Sequence, residues 1–523
     1  MSASKQRHIG IVGAGFAGLR CADVLLQQGH RVMIFEARDR IGGRVAQSDY
    51  LGHKIDLGPN WIHGTDGNPI LELARKTGTR LHAWDEAQQI YDVDKTPLDA
   101  EDAALYGGLL WDNGLIADAF KYSEQNKDSI SSSVSLFDFF RDKVGDLFTD
   151  LDPDEAARRR RTLLNITKMW GAYVGSPIER QSLKFYWLEE CIEGENPFVA
   201  ETYYKILPAV AERALKDAVI RLNVKVLNIS AAQGTAQPTI GTADGVFYAF
   251  DEVVVTTPLG WLKRNSSAFV PPLTQPIRDA IENIGYGCLD KVYITFHTAW
   301  WNESTTNGVD NGTKLDKTHS TPNVTSTSMP LHQSDCSMAS SSNYPGFTHW
   351  LDPQYDPTNN PEQWDIQAMN LAALPGDFSH PTLLFYIQGP CSQHVASLVR
   401  SAKSDLERDT ALVEFFKPYY SLMPNYSPGH PDCIPKAILA TAWANDEYAG
   451  YGSYSNFQVG LEHGDKDIET LRHGMPEKHL WFAGEHTAPF VALGTTTGAY
   501  WSGEKVAERI LQSYDKDDEA NGS

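Results

Sequence analysis

The chain opens on a short apolar run, His8–Val12, followed by a glycine-rich turn, an amphipathic stretch from Leu19 to Gln28 and a second short run, RVMIFEA, over 31–37. A five-residue apolar run is short for a helix and fits a strand covered on both faces, whereas Leu19–Gln28 repeats at helical spacing. The order predicts a strand–turn–helix–strand unit, with Gly29 closing the helix in the left-handed conformation glycine tolerates. Residues 86–220 then read mostly as helix. Arginines 158–161 lie in that stretch and are read as a solvated face balanced by the acids before them, not as an anion site.

Strands are expected again at Val224–Ile229, Phe250–Thr256 and Lys291–Phe296, and beyond residue 379 at Thr382–Ile387 and Ala437–Ala442, with a helix over Lys403–Phe416. The chain ends as a strand (HLWFAG), a loop and a helix from Thr496 to Ser513. Residues 302–345 are rich in Ser, Thr and Asn and lack periodicity, so they read as a surface insertion. Residues 514–523 read as a frayed acidic tail.

Composition narrows the possibilities. At 523 residues the chain exceeds a single core, and 41% hydrophobic with 21% charged residues is ordinary for a globular protein. No apolar run has the length of a membrane span. A formal charge of −22 disfavours a nucleic-acid partner and favours cationic ligands. The first ten residues run directly into a strand pattern without a secretory signal, so a cytoplasmic location is expected. Sequons at Asn165, Asn228, Asn265, Asn302, Asn311, Asn323, Asn425 and Asn521 keep a longer secreted precursor as the alternative. The six cysteines form no CxxC pair, so no metal site is expected and the thiols read as isolated.

The chemistry begins at Gly13-Ala14-Gly15-Phe16-Ala17-Gly18. Set between strand and helix, this is a dinucleotide turn: Gly13 for the tight bend, Gly15 for close approach of a pyrophosphate, Gly18 for helix–strand packing. Glu36 ends the second strand, where a carboxylate accepts both ribose hydroxyls. Ala37-Arg38-Asp39-Arg40-Ile41-Gly42-Gly43-Arg44 follows. A fold that binds only a nicotinamide cofactor has no need of it; Gly42 and Gly43 let backbone approach the cofactor, and Arg44 offsets pyrophosphate charge.

This second element resembles the fingerprint of the flavin monoamine and polyamine oxidase family, and the resemblance extends over almost the whole chain, closest to the polyamine-oxidising branch. Asp56-Leu57-Gly58-Pro59-Asn60-Trp61-Ile62-His63-Gly64 is similar to the family's flavin-contacting segment. Val253–Gly260 resembles the strand-turn that returns to the cofactor, and Leu480–Thr487 the last FAD motif, with Glu485 at the ribityl chain. The helix start at Thr495 and Thr496 is implied to face the flavin's N1–C2=O edge, and Val226 is carried as a further cofactor contact. Lys291 matches the lysine that holds a water near flavin N5, while Trp443 and Tyr454 match the aromatic residues beside the ring. His63 is implied to touch substrate. Glu189, Glu190 and Thr495 are further substrate candidates, against the plainer reading of the two glutamates as a solvated pair.

The resemblance implies an FAD-binding Rossmann-like domain with a parallel sheet in three layers, made of 1–85, 221–287 and 434–515. It is interleaved with an α+β substrate domain carrying a mixed sheet, 86–220 and 288–433. The implied reaction is hydride transfer from an amine α-carbon to FAD, with imine hydrolysis and reduction of dioxygen to hydrogen peroxide. No cysteine stands beside Tyr454, so the FAD is expected to be non-covalent. Thr495 stands where monoamine oxidases have a second aromatic, which implies a more open pocket, and Thr497 replaces a histidine common in polyamine oxidases. Alternatives are an amine oxidase for a larger amine or a monoamine, and a non-catalytic flavoprotein. The sequence leaves oligomeric state open.

Overall fold

Strand His8–Val12 buries Ile9 and Ile11 against one layer and Val12 against another, as a strand covered on both faces must. In the computed structural model, which describes residues 6–84, 87–111, 114–302 and 344–522, it is the centre of a five-stranded parallel sheet. The order is Leu480–Phe482, Glu252–Val255, His8–Val12, Arg31–Phe35, Val219–Arg221. Helices Phe16–Gln27, Ile206–Asp217 and Thr496–Gly522 cover one face. A three-stranded antiparallel sheet, Val226–Ser230, Thr239–Thr242 and Phe247–Ala249, packs with the other. The first and last helices touch through glycine: a Cβ on Gly503 would stand 2.1 Å from the Ala17 carbonyl oxygen.

A second, mixed sheet has six strands, in the order Ala437–Ala440, Leu289–Thr295, Thr382–Gln388, Ile366–Asn370, Phe347–Trp350, Gln88–Tyr91. All its pairings are antiparallel except the last. Alternation along Leu289–Thr295 sends Val292 and Ile294 into an aromatic core under helices Gly389–Ser401 and Asp405–Tyr420. Tyr293 goes to the opposite face with Leu384 and Tyr386, toward segment Leu51–Trp61. Helices from Ala100 to Val174 form a separate layer beside this sheet.

Three strands of this sheet go unannounced in the sequence pattern: Gln88–Tyr91, Phe347–Trp350 and Ile366–Asn370. They are short and do not alternate cleanly between polar and apolar residues, so sheet context rather than local pattern makes them strands. Most of the expected 302–345 insertion lies outside the described residues. The last helix runs to Gly522 rather than stopping at Ser513; Lys, Glu and Ala in that tail are good helix formers. Arg158 and Arg159 pair with Glu155 at 2.8 and 2.6 Å on their own helix.

Candidate active site

The turn after the first strand is built by glycine. Gly13 has φ +107°, and its N–H donates to the Phe35 carbonyl (2.8 Å). A Cβ on Gly18 would lie 2.1 Å from the Gly13 carbonyl oxygen, whereas one on Gly15 would meet nothing within 4 Å. Gly18 is therefore glycine for packing, and Gly15 faces open space. Helix Phe16–Gln27 starts at Gly15 with no side-chain cap, leaving N–H groups of its first turn for an anion. The Glu36 carboxylate accepts from the N–H of Ala14 (2.8 Å) and of Arg38 (2.9 Å) across Ala37. Val226 is buried with Phe35 beside this strand end. Gly42 donates to the Ala14 carbonyl (2.8 Å), and a Cβ on Gly43 would stand 3.5 Å from the Gly15 Cα. The second fingerprint thus lies against the first. The Arg38 side chain turns away, to Asp446 at 2.8 Å and 2.9 Å.

Arg44 leads on from this turn. Its guanidinium donates to the Ser453 carbonyl and to Glu485 (3.1 Å). Glu485, almost fully buried, also accepts from the Ser455 hydroxyl (2.6 Å). Burial alone would raise its pKa; Arg44, His486 and Ser455 outweigh that and hold it below the ordinary value. Gly484, φ +146°, donates to the Ser502 hydroxyl (2.9 Å). The neighbouring His486 is fully buried with both ring nitrogens unpartnered.

Two donors grip successive carbonyls of the segment Asp56–Gly64. Trp443 Nε1 donates to Leu57 (3.0 Å), and Lys291 Nζ donates to Gly58. A Cβ on Gly58 would stand 1.9 Å from the Arg44 carbonyl oxygen, so Gly58 closes this segment onto the fingerprint. Lys291 is 6% exposed, and burial lowers its pKa to about 8 against the opposing pull of Asp56 and Asp290. Asp290 sets the framework around it, accepting from Thr441 Oγ1 (2.6 Å), the Trp443 N–H (2.7 Å) and Ser392 Oγ (2.8 Å). Tyr454 donates to the Tyr173 carbonyl (2.8 Å), and a Cβ on Gly494 would lie 3.4 Å from its ring. The Tyr454 loop therefore lies beside Thr495.

Thr495 accepts from the Gly498 N–H (2.9 Å) and donates to the Ala492 carbonyl (2.7 Å), so its hydroxyl is used in starting the last helix. Thr496 Oγ1 lies 3.3 Å from the Tyr203 hydroxyl. Thr497 is buried on Asn68 (2.9 Å), and Asn68 in turn donates to the carbonyls of His63 and Gly64. Thr497 thus supports the His63 turn. Burial lowers the His63 pKa to about 4, so its ring is neutral at pH 7. The two glutamates part company. Burial raises Glu189 to about 8, with Glu485 pushing the same way and a backbone bond from Phe457 opposing, whereas Glu190 is exposed. Glu190 faces solvent, as the plainer reading of the pair has it.

Sequence reasoning missed Tyr386 and the role of Asp56. Tyr386 donates to Asn60 Oδ1 (2.8 Å), accepts from Trp61 Nε1 (3.2 Å), and has Lys291 Nζ 5.7 Å from its ring centre. Pro59 lies between Gly58 and this network. Asp56 accepts from Gln47 (2.7 Å) and the Tyr203 N–H, and burial raises its pKa to about 7 against those bonds and Lys291. No local pattern marks Tyr386; strand pairing brings it opposite Lys291.

Open space at Gly15, uncapped N–H groups, Arg44 at the fingerprint and an electropositive helix start at Thr496 fit a flavin dinucleotide. The model for flavin containing amine oxidoreductases matches residues 16–511. The chain belongs to that family, and FAD is its cofactor. Among relatives, it is 26% identical over 303 residues to a probable polyamine oxidase 4 of Arabidopsis thaliana, covering 56% of this chain and 58% of that one. It is 27% identical to the protein FLOWERING LOCUS D of the same plant, over 98% of this chain and 56% of that one. Polyamine oxidase 2 of Arabidopsis thaliana is 25% identical over 96% of this chain and 89% of its own length. The chain therefore spans just over half of the first two and most of the third. A putrescine oxidase double mutant from a redesign of cofactor binding shares the fold, with TM-score 0.63 and 16% identity over 97% of this chain and 99% of that one.

Proposed function

We propose that this protein is an FAD-dependent polyamine oxidase, its FAD-binding unit formed by 1–85, 221–287 and 434–515 and its substrate unit by 86–220 and 288–433. The observation that carries this reading is Lys291: a buried lysine bonded to segment 56–64, with Tyr386 and Trp443 bonded to the same segment and Tyr454 beside the turn that starts the last helix. FAD, when bound, would supply the two-electron acceptor for the amine α-C–H bond, with dioxygen taking the electron pair and two protons to leave as hydrogen peroxide. The oxidised substrate is an imine, which water splits into an aldehyde and an amine.

The chain's own residues set the stage. Gly13, Gly15, Gly18, Glu36, Arg44 and Glu485 would hold the dinucleotide, and the helix start at Thr495–Thr496 would stabilise negative charge gained by the flavin. Lys291 holds a water at the reacting face. Tyr454 and Trp443 wall the amine and exclude bulk water. His63, neutral, accepts a hydrogen bond from a substrate nitrogen, and Glu189 is the candidate for a distal one. The names of two relatives and the acidic charge support a polyamine over a monoamine.

The test is a peroxide-coupled assay against spermine, spermidine, their N-acetyl forms and simple monoamines. Turnover of polyamines with little on monoamines is expected; the reverse order overturns the polyamine assignment. Because the reacting nitrogen must be neutral, kcat/KM rises with pH until the substrate amine has lost its proton. A profile that falls across that range contradicts direct oxidation of the free amine. Serine, Ser453, precedes Tyr454, and no cysteine stands beside it, so acid precipitation releases the flavin into the supernatant. Yellow pelleted protein would show a covalent link.

A further inference from the structure

Asp290 stands next to Lys291 on strand Leu289–Thr295, so alternation sends its side chain to the other face, the one that carries Val292 and Ile294 into the aromatic core. It is fully buried there. A buried carboxylate is costly unless its oxygens are bonded, and four donors converge on this one. Oδ1 accepts from Thr441 Oγ1 (2.6 Å) and the Trp443 N–H (2.7 Å). Oδ2 accepts from Ser392 Oγ (2.8 Å) and the Ala444 N–H (3.2 Å). Ser392 belongs to helix Gly389–Ser401, and the other three donors to the turn that follows strand Ala437–Ala440.

That turn is fastened to the strand a second time. The Lys291 N–H donates to Thr441 Oγ1 (2.9 Å), and the Thr441 N–H donates to the Lys291 carbonyl (2.8 Å). The Thr441 hydroxyl thus bridges the Asp290 side chain and the Lys291 backbone. From the same turn Trp443 Nε1 reaches the Leu57 carbonyl (3.0 Å), while Lys291 Nζ reaches that of Gly58. Both donors that grip segment 56–64 therefore start from groups held by one carboxylate. Its charge also acts on Lys291, opposing the effect of burial, as does that of Asp56 from the gripped segment. Tyr386 faces the lysine from the paired strand, and Tyr293 follows on its own face. Cys288 is the titratable group near Asp290; burial raises its thiol, with Asp290 pressing the same way.

We propose that Asp290 is a positioning residue of the amine-oxidising site, fixing Lys291 and Trp443 together against segment 56–64. Its charge has a second effect, favouring the ammonium form of Lys291. The inference rests on the amine-oxidase reading above and deepens it. A carboxylate is required because all four partners donate: asparagine keeps one acceptor oxygen and turns N–H donors on the rest.

The test uses the holoenzyme and the variants Asp290→Asn and Thr441→Val, with Lys291→Met as reference. The visible absorption of the oxidised flavin is titrated with pH, and the transition that Lys291→Met abolishes is that of Lys291. In Asp290→Asn this transition is expected at a pH about 1 lower, a roughly 10-fold weaker hold on the proton, because a negative charge beside the ammonium is gone. Thr441→Val keeps the charge and leaves the transition in place. Both variants lower kcat by about 10-fold or more through misplaced groups, at an unchanged flavin-to-protein ratio. An unmoved transition in Asp290→Asn, or none that depends on Lys291, overturns the effect of charge and leaves Asp290 a merely structural residue. If Asp290→Asn does not fold, Thr441→Val decides: turnover equal to the unaltered enzyme overturns the positioning role. Failure of the unaltered enzyme to oxidise any amine overturns the reading of the site, whereas the flavin titration still reads Asp290 acting on Lys291.

Discussion

Lys291→Met is expected to lower turnover with the best amine by about 100-fold or more, the scale of a lost proton-positioning group, while the purified protein stays yellow. The separation follows from where Lys291 sits. Its Nζ bonds the Gly58 carbonyl and none of the fingerprint residues proposed to hold the dinucleotide. The fold should tolerate the change. A fall in pKa from 10.5 to about 8 means that burying the charged ammonium costs about 3 kcal/mol. The sign follows: the folded pKa is lowered, so this cost is full below pH 8 and is relieved as pH rises from 8 toward 10.5. Methionine removes the cost but leaves the Gly58 carbonyl without its donor, a loss of about 1–3 kcal/mol. The two nearly cancel, and the melting temperature at pH 7 should move by only a few degrees. Stopped-flow reduction by amine and reoxidation by dioxygen locate the slowed step. Turnover equal to the unaltered enzyme would remove Lys291 from the chemistry.

Arg44→Met is expected to do the opposite: to lose both flavin and stability. Glu485 is held charged in a nearly closed environment by Arg44, and removing one partner of such a pair costs about 3–5 kcal/mol. Arg44→Met with Glu485→Gln removes both charges and should recover most of the stability without recovering flavin. Because the folded pKa of Glu485 is depressed, its contribution is present above the unfolded carboxylate range and is lost as pH falls through the folded value. Thermal melts of apoprotein and flavin-to-protein absorbance ratios after gel filtration check both halves. A single variant that keeps stoichiometric FAD would refute the pyrophosphate role.

What could be read from the sequence was mostly local. GAGFAG, RIGGR and AGEH constrain backbone within a few residues, so their spacing carries their meaning: Gly13 needs a positive φ, and Gly18 lies within 2.1 Å of a carbonyl once a Cβ is added. Lys291 was legible only through family resemblance, since a lysine opening a strand is ordinarily a solvated edge charge. Tyr386 was not legible at all: it meets Lys291 through the pairing of strands distant in sequence. The two glutamates at 189 and 190 show the same limit at the smallest scale, since local backbone direction sends one inward and the other to solvent.

The central claim is that the bound FAD takes electrons from an amine at the Lys291 site. Mixing the purified yellow holoprotein with spermidine without oxygen, and watching the visible flavin absorption, tests it directly. The account predicts bleaching within seconds to minutes, recovery on admitting air and one hydrogen peroxide per turnover. Full flavin occupancy with no bleaching by spermidine, spermine, their acetyl forms or any diamine would contradict it.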